Sequence, residues 1–209
     1  MKQCVSIGFL MRKYNQCKGF ATVTLYFISV SLFLITKTEV ALSVWELMTI
    51  FSAPVVLLVL LELSTLLGVA SIYRSAMLVF MSCTCALTGV AHIVNLTVTR
   101  RLIGEGVNVP TYFQIGYWPS VEMATDYLAW GFFMGLALLC IGLGCKDENK
   151  KRCTLKITLL ICGLLCLIGF FGAVFINENI WYVAPMGYGF GLLVICMQMY
   201  RLNILFNDV

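Results

Sequence analysis

The sequence predicts an all-α, polytopic integral membrane bundle of six transmembrane helices with both termini cytoplasmic, and three observations carry that prediction. The 209 residues are 61% hydrophobic and 11% charged, with a mean hydropathy of +0.95; an average soluble domain carries about 25% charged residues. Six stretches are long and apolar enough to span a hydrocarbon core of about 30 Å, which takes about 20 residues at a rise near 1.5 Å. The basic residues fall mainly on alternate connections, and Lys and Arg accumulate on the cytoplasmic side.

Span one covers residues 19–36, behind a leader that carries Lys2, Arg12, Lys13 and Lys18. Its apolar run exceeds the roughly 7 to 15 residues of a signal peptide and no Ala-x-Ala site closes it, so it is expected to be retained. Span two, residues 45–70, holds Pro54 after Ser52-Ala53, a predicted kink that frees backbone carbonyls. Span three, residues 75–97, ends just before Arg100-Arg101. Span four, residues 121–143, follows Ser120, a good N-cap, and carries the acidic Glu122 in its first turn, where it complements the helix dipole. Spans five and six, residues 154–176 and 180–200, carry Gly163, Gly169 and Gly172, and Gly187, Gly189 and Gly191. Small residues let helices approach closely in lipid. The alternative for Pro185 to Gly191 is a pliable segment lining a cavity.

Residues 1–209 are thus expected to form a single six-helix membrane domain of the cell (plasma) membrane. Its longest connection, Val98 to Ser120, is placed outside, and the linker Gly144 to Cys153 inside. With both ends inside, 11 of the 14 basic residues are cytoplasmic, and only Lys37, Arg100 and Arg101 are not. The net charge of +4 is accordingly a topology signal and implies no nucleic acid partner. None of the ten cysteines falls in an outside loop and no Cys-x-x-Cys occurs, so they are expected to be lipid-compatible packing residues. Gly-x-Gly-x-x-Gly, phosphate-loop and His-Glu-x-x-His signatures are missing, and no internal repeat is evident.

Five ionisable residues fall inside the spans: Glu46, Glu62, His92, Glu122 and Asp126. A charge in hydrocarbon costs roughly 2.5 to 3.5 kcal/mol even on insertion scales, which makes such residues site candidates. His92 lies about a turn and a half below the outer end of span three, with Thr88 and Asn95 on its face. Glu122, Asp126 and Trp130 share a face of span four. Because the two spans are consecutive and antiparallel, Asp126 and His92 reach similar depths, as a base, a proton relay or a metal-supporting pair requires. Glu122 is expected chiefly to cap its helix. Glu46 is expected at the outer surface beside Trp45 as an interface anchor. Glu62 lies about 24 Å further along span two, in the inner half, facing Arg74 or Lys156 or marking the inner end of a pathway. Arg100 and Arg101 are expected in the outer loop, either gripping an anionic group or pairing with Glu105 or Glu122. The aromatic residues at that level form an interfacial belt.

The segment Thr88-Gly-Val-Ala-His92-Ile-Val-Asn95-Leu96 resembles the copper-binding helix of plant ethylene receptors, whose pattern is Cys-Gly-x-x-His-x-x-Asn-Leu. Thr88 stands where that family has its metal-ligating cysteine, so the resemblance implies no metal and no cofactor here. His92 is also the single histidine of the chain. The reading that follows is a multi-pass membrane protein that binds or transports a small or amphipathic molecule through an outer-half polar pocket. Its alternatives are a membrane-embedded enzyme acting on a lipid, with His92 or Asp126 as base, and a sensory or structural subunit.

Overall fold

The computed structural model describes the backbone of residues 2–146 and 150–205 and the side chains of residues 19–146 and 150–202. Asp147, Glu148 and Asn149 of the predicted inner linker, and the side chains of Lys2, Arg12, Lys13, Lys18, Cys4 and Cys17, lie outside the described residues.

Six helices are long and apolar enough to cross a membrane. They are α1 (Lys2–Thr36), α2 (Glu39–Leu66), α3 (Ser71–Gly104), α4 (Val121–Gly144), α5 (Lys150–Phe175) and α6 (Glu178–Leu202). Among the described residues there is no strand. The chain is all-helical and has the make-up of a multi-pass membrane protein.

The turn between α1 and α2 is set by two side-chain preferences. Lys37 takes a left-handed backbone conformation (φ 50°) and its N–H returns to Phe33 O at 2.8 Å, which ends α1. Thr38 is then extended and accepts from Ala41 N–H, so α2 starts at Glu39, six residues ahead of the hydropathy boundary. That early start places Glu39, Ser43 and Glu46 on one face of a single helix. The helix runs unbroken through Pro54. At its far end Gly68 takes φ +62°, with Gly68 N–H on Thr65 O and Val69 N–H on Ser64 O, a Schellman turn.

α3 extends past the predicted boundary at residue 97 to Gly104. Arg100 and Arg101 therefore sit on a helix rather than in a loop, a correction with a simple cause. Charged residues end a hydropathy window, but Arg is a good helix former. The connection that remains is residues 105–120.

α4 is central and α1 peripheral: 61% of the spanning residues of α4 are buried within the protein, against 17% for α1. α4 packs on α3 and α5, whereas α1 lies against α2 and α6. Leu63, Met77, Met81, Met134, Leu138 and Leu159 fill the space between them without exposure. The glycines of α5 and α6 close-pack helices: a Cβ at Gly163 would lie 2.9 Å from Gly135 O on α4, and one at Gly169 would lie 2.6 Å from the Ala184 Cβ on α6. No disulfide joins any of the eight described cysteines.

Candidate functional site

The connection of residues 105–120 marks one end of the bundle, where α1, α3 and α5 finish and α2, α4 and α6 begin. Three of these helices widen there into a π turn: Asn95–Thr99 in α3, Leu128–Phe133 in α4 and Met186–Phe190 in α6. Such turns recur at functional sites because an added residue re-aims the side chains beyond it. In α3 the effect is direct. Five residues of regular α-helix would put Arg100 about 140° around the axis from Asn95, but the Arg100 N–H bonds to Asn95 O, stacking the two on one face.

That face meets α2. His92 is fully buried, with Nδ1 3.9 Å from Glu46 Oε1 and Nε2 3.5 Å from Asp126 Oδ1. Asn95, 3% exposed, donates its side-chain amide to Glu46 Oε1. Arg100 lies with NH1 3.7 Å from Glu46 Oε2, and it also donates to the Ser43 hydroxyl and to the carboxylate and backbone carbonyl of Glu39. The Trp45 ring stands edge-on to the imidazole at 6.1 Å. The predicted meeting of His92, Asn95 and Asp126 is what the structure places together. Glu46 is the correction. It is not a surface anchor beside Trp45 but a fully buried member of the cluster, because a helix that starts at Glu39 carries residue 46 two turns inside.

The remaining candidates separate. Glu122 is 4% exposed in the first turn of α4, where it was expected, and Ser120 is the N-cap, its Oγ accepting from Met123 N–H at 3.1 Å. Trp130 is buried at 5% exposure and tilts against Tyr188. Arg101 pairs along its own helix with exposed Glu105 at 3.0 Å. Glu62 is half-buried on α2, about 24 Å by helical rise from Glu46 and outside the cluster. Two members were missed by sequence reasoning, Glu39 and Ser43. Their signal was the i, i+4, i+7 spacing with Glu46, visible only if the helix is begun at the Thr38 cap.

Chemically, the cluster is an imidazole between two carboxylates. A neutral imidazole carries one N–H and one acceptor nitrogen, while an ionised carboxylate only accepts. Both ring nitrogens are therefore satisfied only when the three groups hold one extra proton between them, on the ring or on an acid. Neither ring nitrogen makes a hydrogen bond within the described protein, and the buried Glu46 Oε2, Asp126 Oδ1 and Thr88 Oγ1 make none either.

Two clefts adjoin the cluster and share Phe33, Leu34 and Tyr117. One, of about 640 Å³, is lined by Asn95, Arg100, Glu39 and Lys37. The other, of about 530 Å³, lies between α1 and α6 and is lined by Tyr26, Trp45, Trp118, Tyr127, Trp181 and Tyr188 among others. A third space of about 20 Å³, room for a single water, touches Tyr26, Ser52, Trp130 and Tyr188. Among the described residues no group of three or more His, Cys, Asp or Glu is arranged to hold a metal ion. Comparison of the chain with protein-family models, with curated proteins and with solved structures gives no match.

Proposed function

We propose that the chain, inserted in the cell membrane with both ends on the cytoplasmic side, binds or carries a small or amphipathic molecule through the polar pocket at its His92 end. The observation that carries this reading is a fully buried imidazole facing two carboxylates without a hydrogen bond at either nitrogen. A histidine retained only for packing is normally satisfied, and each buried polar group left unpaired costs about 1 to 3 kcal/mol. A ligand group or a proton that enters and leaves the cluster offsets that cost. The neighbouring clefts, of about 640 and 530 Å³, are in the size range of small-molecule sites, roughly 300 to 1,000 Å³.

The lipid-enzyme alternative has less support. Its phosphate grips would be Arg100, already held by Glu39, Glu46 and Ser43, and Arg101, held by Glu105. Its base would be His92, which has no exposure, or Asp126, 16% exposed and facing His92, and general base catalysis needs contact with the substrate proton.

The test is mass spectrometry of small molecules retained by the purified protein. The wild type is expected to keep a component that His92→Ala and Asp126→Asn each lose. Identical retained components in all three proteins would overturn the reading. Transport further requires that uptake of that component into proteoliposomes fall in Glu62→Gln as well as in Asp126→Asn; a site that only binds is indifferent to Glu62.

A further inference from the structure

We propose that the cleft between α1 and α6 is a site for an organic cation with an apolar body, a protonated or quaternary amine. This names a ligand class for the pocket proposed above and rests on that reading only in taking the pocket to be a ligand site.

Aromatic side chains build the cleft. On one side Trp118 stacks on Tyr127 at 4.9 Å and 18°, Tyr127 stacks on Trp181 at 3.8 Å and 16°, and Tyr188 follows at 6.1 Å. On the other, Phe33 stacks on Trp45 at 5.3 Å and 12°. An interfacial belt presents its rings outward to headgroups. Here Tyr127 and Trp181 are 5% and 8% exposed, so their rings are spent on the protein interior and on the cleft.

The sign of the charge selects the ligand. Among the described residues lining this cleft the only charged side chain is Glu178, and there is no Lys or Arg. Aromatic faces are themselves negative, the ring quadrupole attracting cations. One lining carboxylate and an aromatic wall disfavour an anion, give a neutral molecule only apolar contact, and attract a cation whose body fits about 530 Å³. The adjoining cleft has a different character, because Lys37 and Arg100 line it beside Glu39.

The test uses the full chain in detergent micelles, with empty micelles as blank, and follows tryptophan fluorescence while benzyltrimethylammonium is added. Its neutral isostere neopentylbenzene and the anion benzenesulfonate are the controls. The cation is expected to bind saturably and about 2-fold to 30-fold more tightly than the neutral isostere, the span that cation–π attraction allows; benzenesulfonate is expected not to saturate. Glu178 is exposed, so Glu178→Lys leaves folding intact and is expected to weaken cation binding severalfold, while Glu178→Asp keeps it. Trp118→Leu, at a half-buried position, is expected to lower affinity for the cation more than for the isostere. Equal affinity for cation and isostere, or an unchanged cation affinity in Glu178→Lys, overturns the proposal. Failure of the two readings is distinguishable. A protein that retains no small molecule on purification yet prefers the cation removes support from the His92 reading alone. A retained neutral or anionic molecule that the cation does not displace overturns the cation site alone.

Discussion

Glu46 is the residue on which the buried network turns. Its two oxygens serve the Asn95 amide, face His92 Nδ1 and sit opposite Arg100. Replacing it by Ala leaves the buried Asn95 amide without its acceptor and removes the carboxylate that faces His92 and Arg100. Breaking a buried ion pair costs about 3 to 5 kcal/mol in soluble proteins, but polar contacts between membrane helices average nearer 0.6 kcal/mol. A loss of about 2 kcal/mol for Glu46→Ala is therefore expected in thermal unfolding followed in micelles, and about half of that for Glu46→Gln, which still accepts from Asn95. Glu122 is the contrasting case. Its Oε2 is buried and makes no hydrogen bond, so Glu122→Gln, which discharges it, is expected to leave the unfolding temperature unchanged or raised. A clear fall would mean that the carboxylate has a charged partner in the bilayer. The pairing of His92 with Asp126 was legible in the sequence because it needs only residue counts along two antiparallel spans. The burial of Glu46 was not, because hydropathy began the second span at residue 45 and the true start is set by the Thr38 cap.

At the scale of the elements, the π turns and the glycine contacts decide which faces meet. The turn in α4 lies against α3, where the Thr84 hydroxyl hydrogen is shared between Ala129 O at 3.1 Å and its own helix's Phe80 O at 3.2 Å. The turn in α6 contains Gly187 and Gly189. A Cβ at Gly187 would collide with the Cys162 carbonyl of α5, which is backbone and has no rotamer by which to withdraw. Gly89 on α3 has nothing within 4 Å of such a Cβ. Gly187→Ala is therefore expected to lower the unfolding temperature sharply and to reduce folded yield on size-exclusion chromatography, whereas Gly89→Ala is expected to be neutral or slightly stabilising. Equal behaviour of the two would show that α5 and α6 do not pack this closely. The packing use of the glycines was readable from composition alone. The π turns were not: no residue type marks them, and they arise from the fit of one helix against the next. The one in α3 is also why Arg100 lies over Asn95 rather than about 140° around the helix from it.

The whole molecule has an asymmetry that sets which side the site faces. All of the clustered acids, the imidazole and both larger clefts lie at the end that carries the connection of residues 105–120, while 11 of the 14 basic residues belong to the opposite end and its connections under the predicted topology. A positive end is retained in the cytoplasm, so the His92 end is expected to face away from it. An even number of helices then brings both chain ends to one side. Fusions check this without any ligand: a green fluorescent protein joined after Val209 is expected to fluoresce and alkaline phosphatase joined there to be inactive, while phosphatase inserted after the exposed Asn108 is expected to be active. The reverse pattern would put Arg100, Arg101 and the two clefts in the cytoplasm. The orientation bears on the proposed function, because the aromatic cleft lies between the peripheral α1 and the better buried α6 at that same end. In the expected orientation the proposed ligand would enter it from the outer side, and Glu62, about 24 Å further in along α2, is the next carboxylate on that helix towards the cytoplasm. In the reversed one, the same residues would take a cytoplasmic molecule, and Glu62 would lie towards the exit.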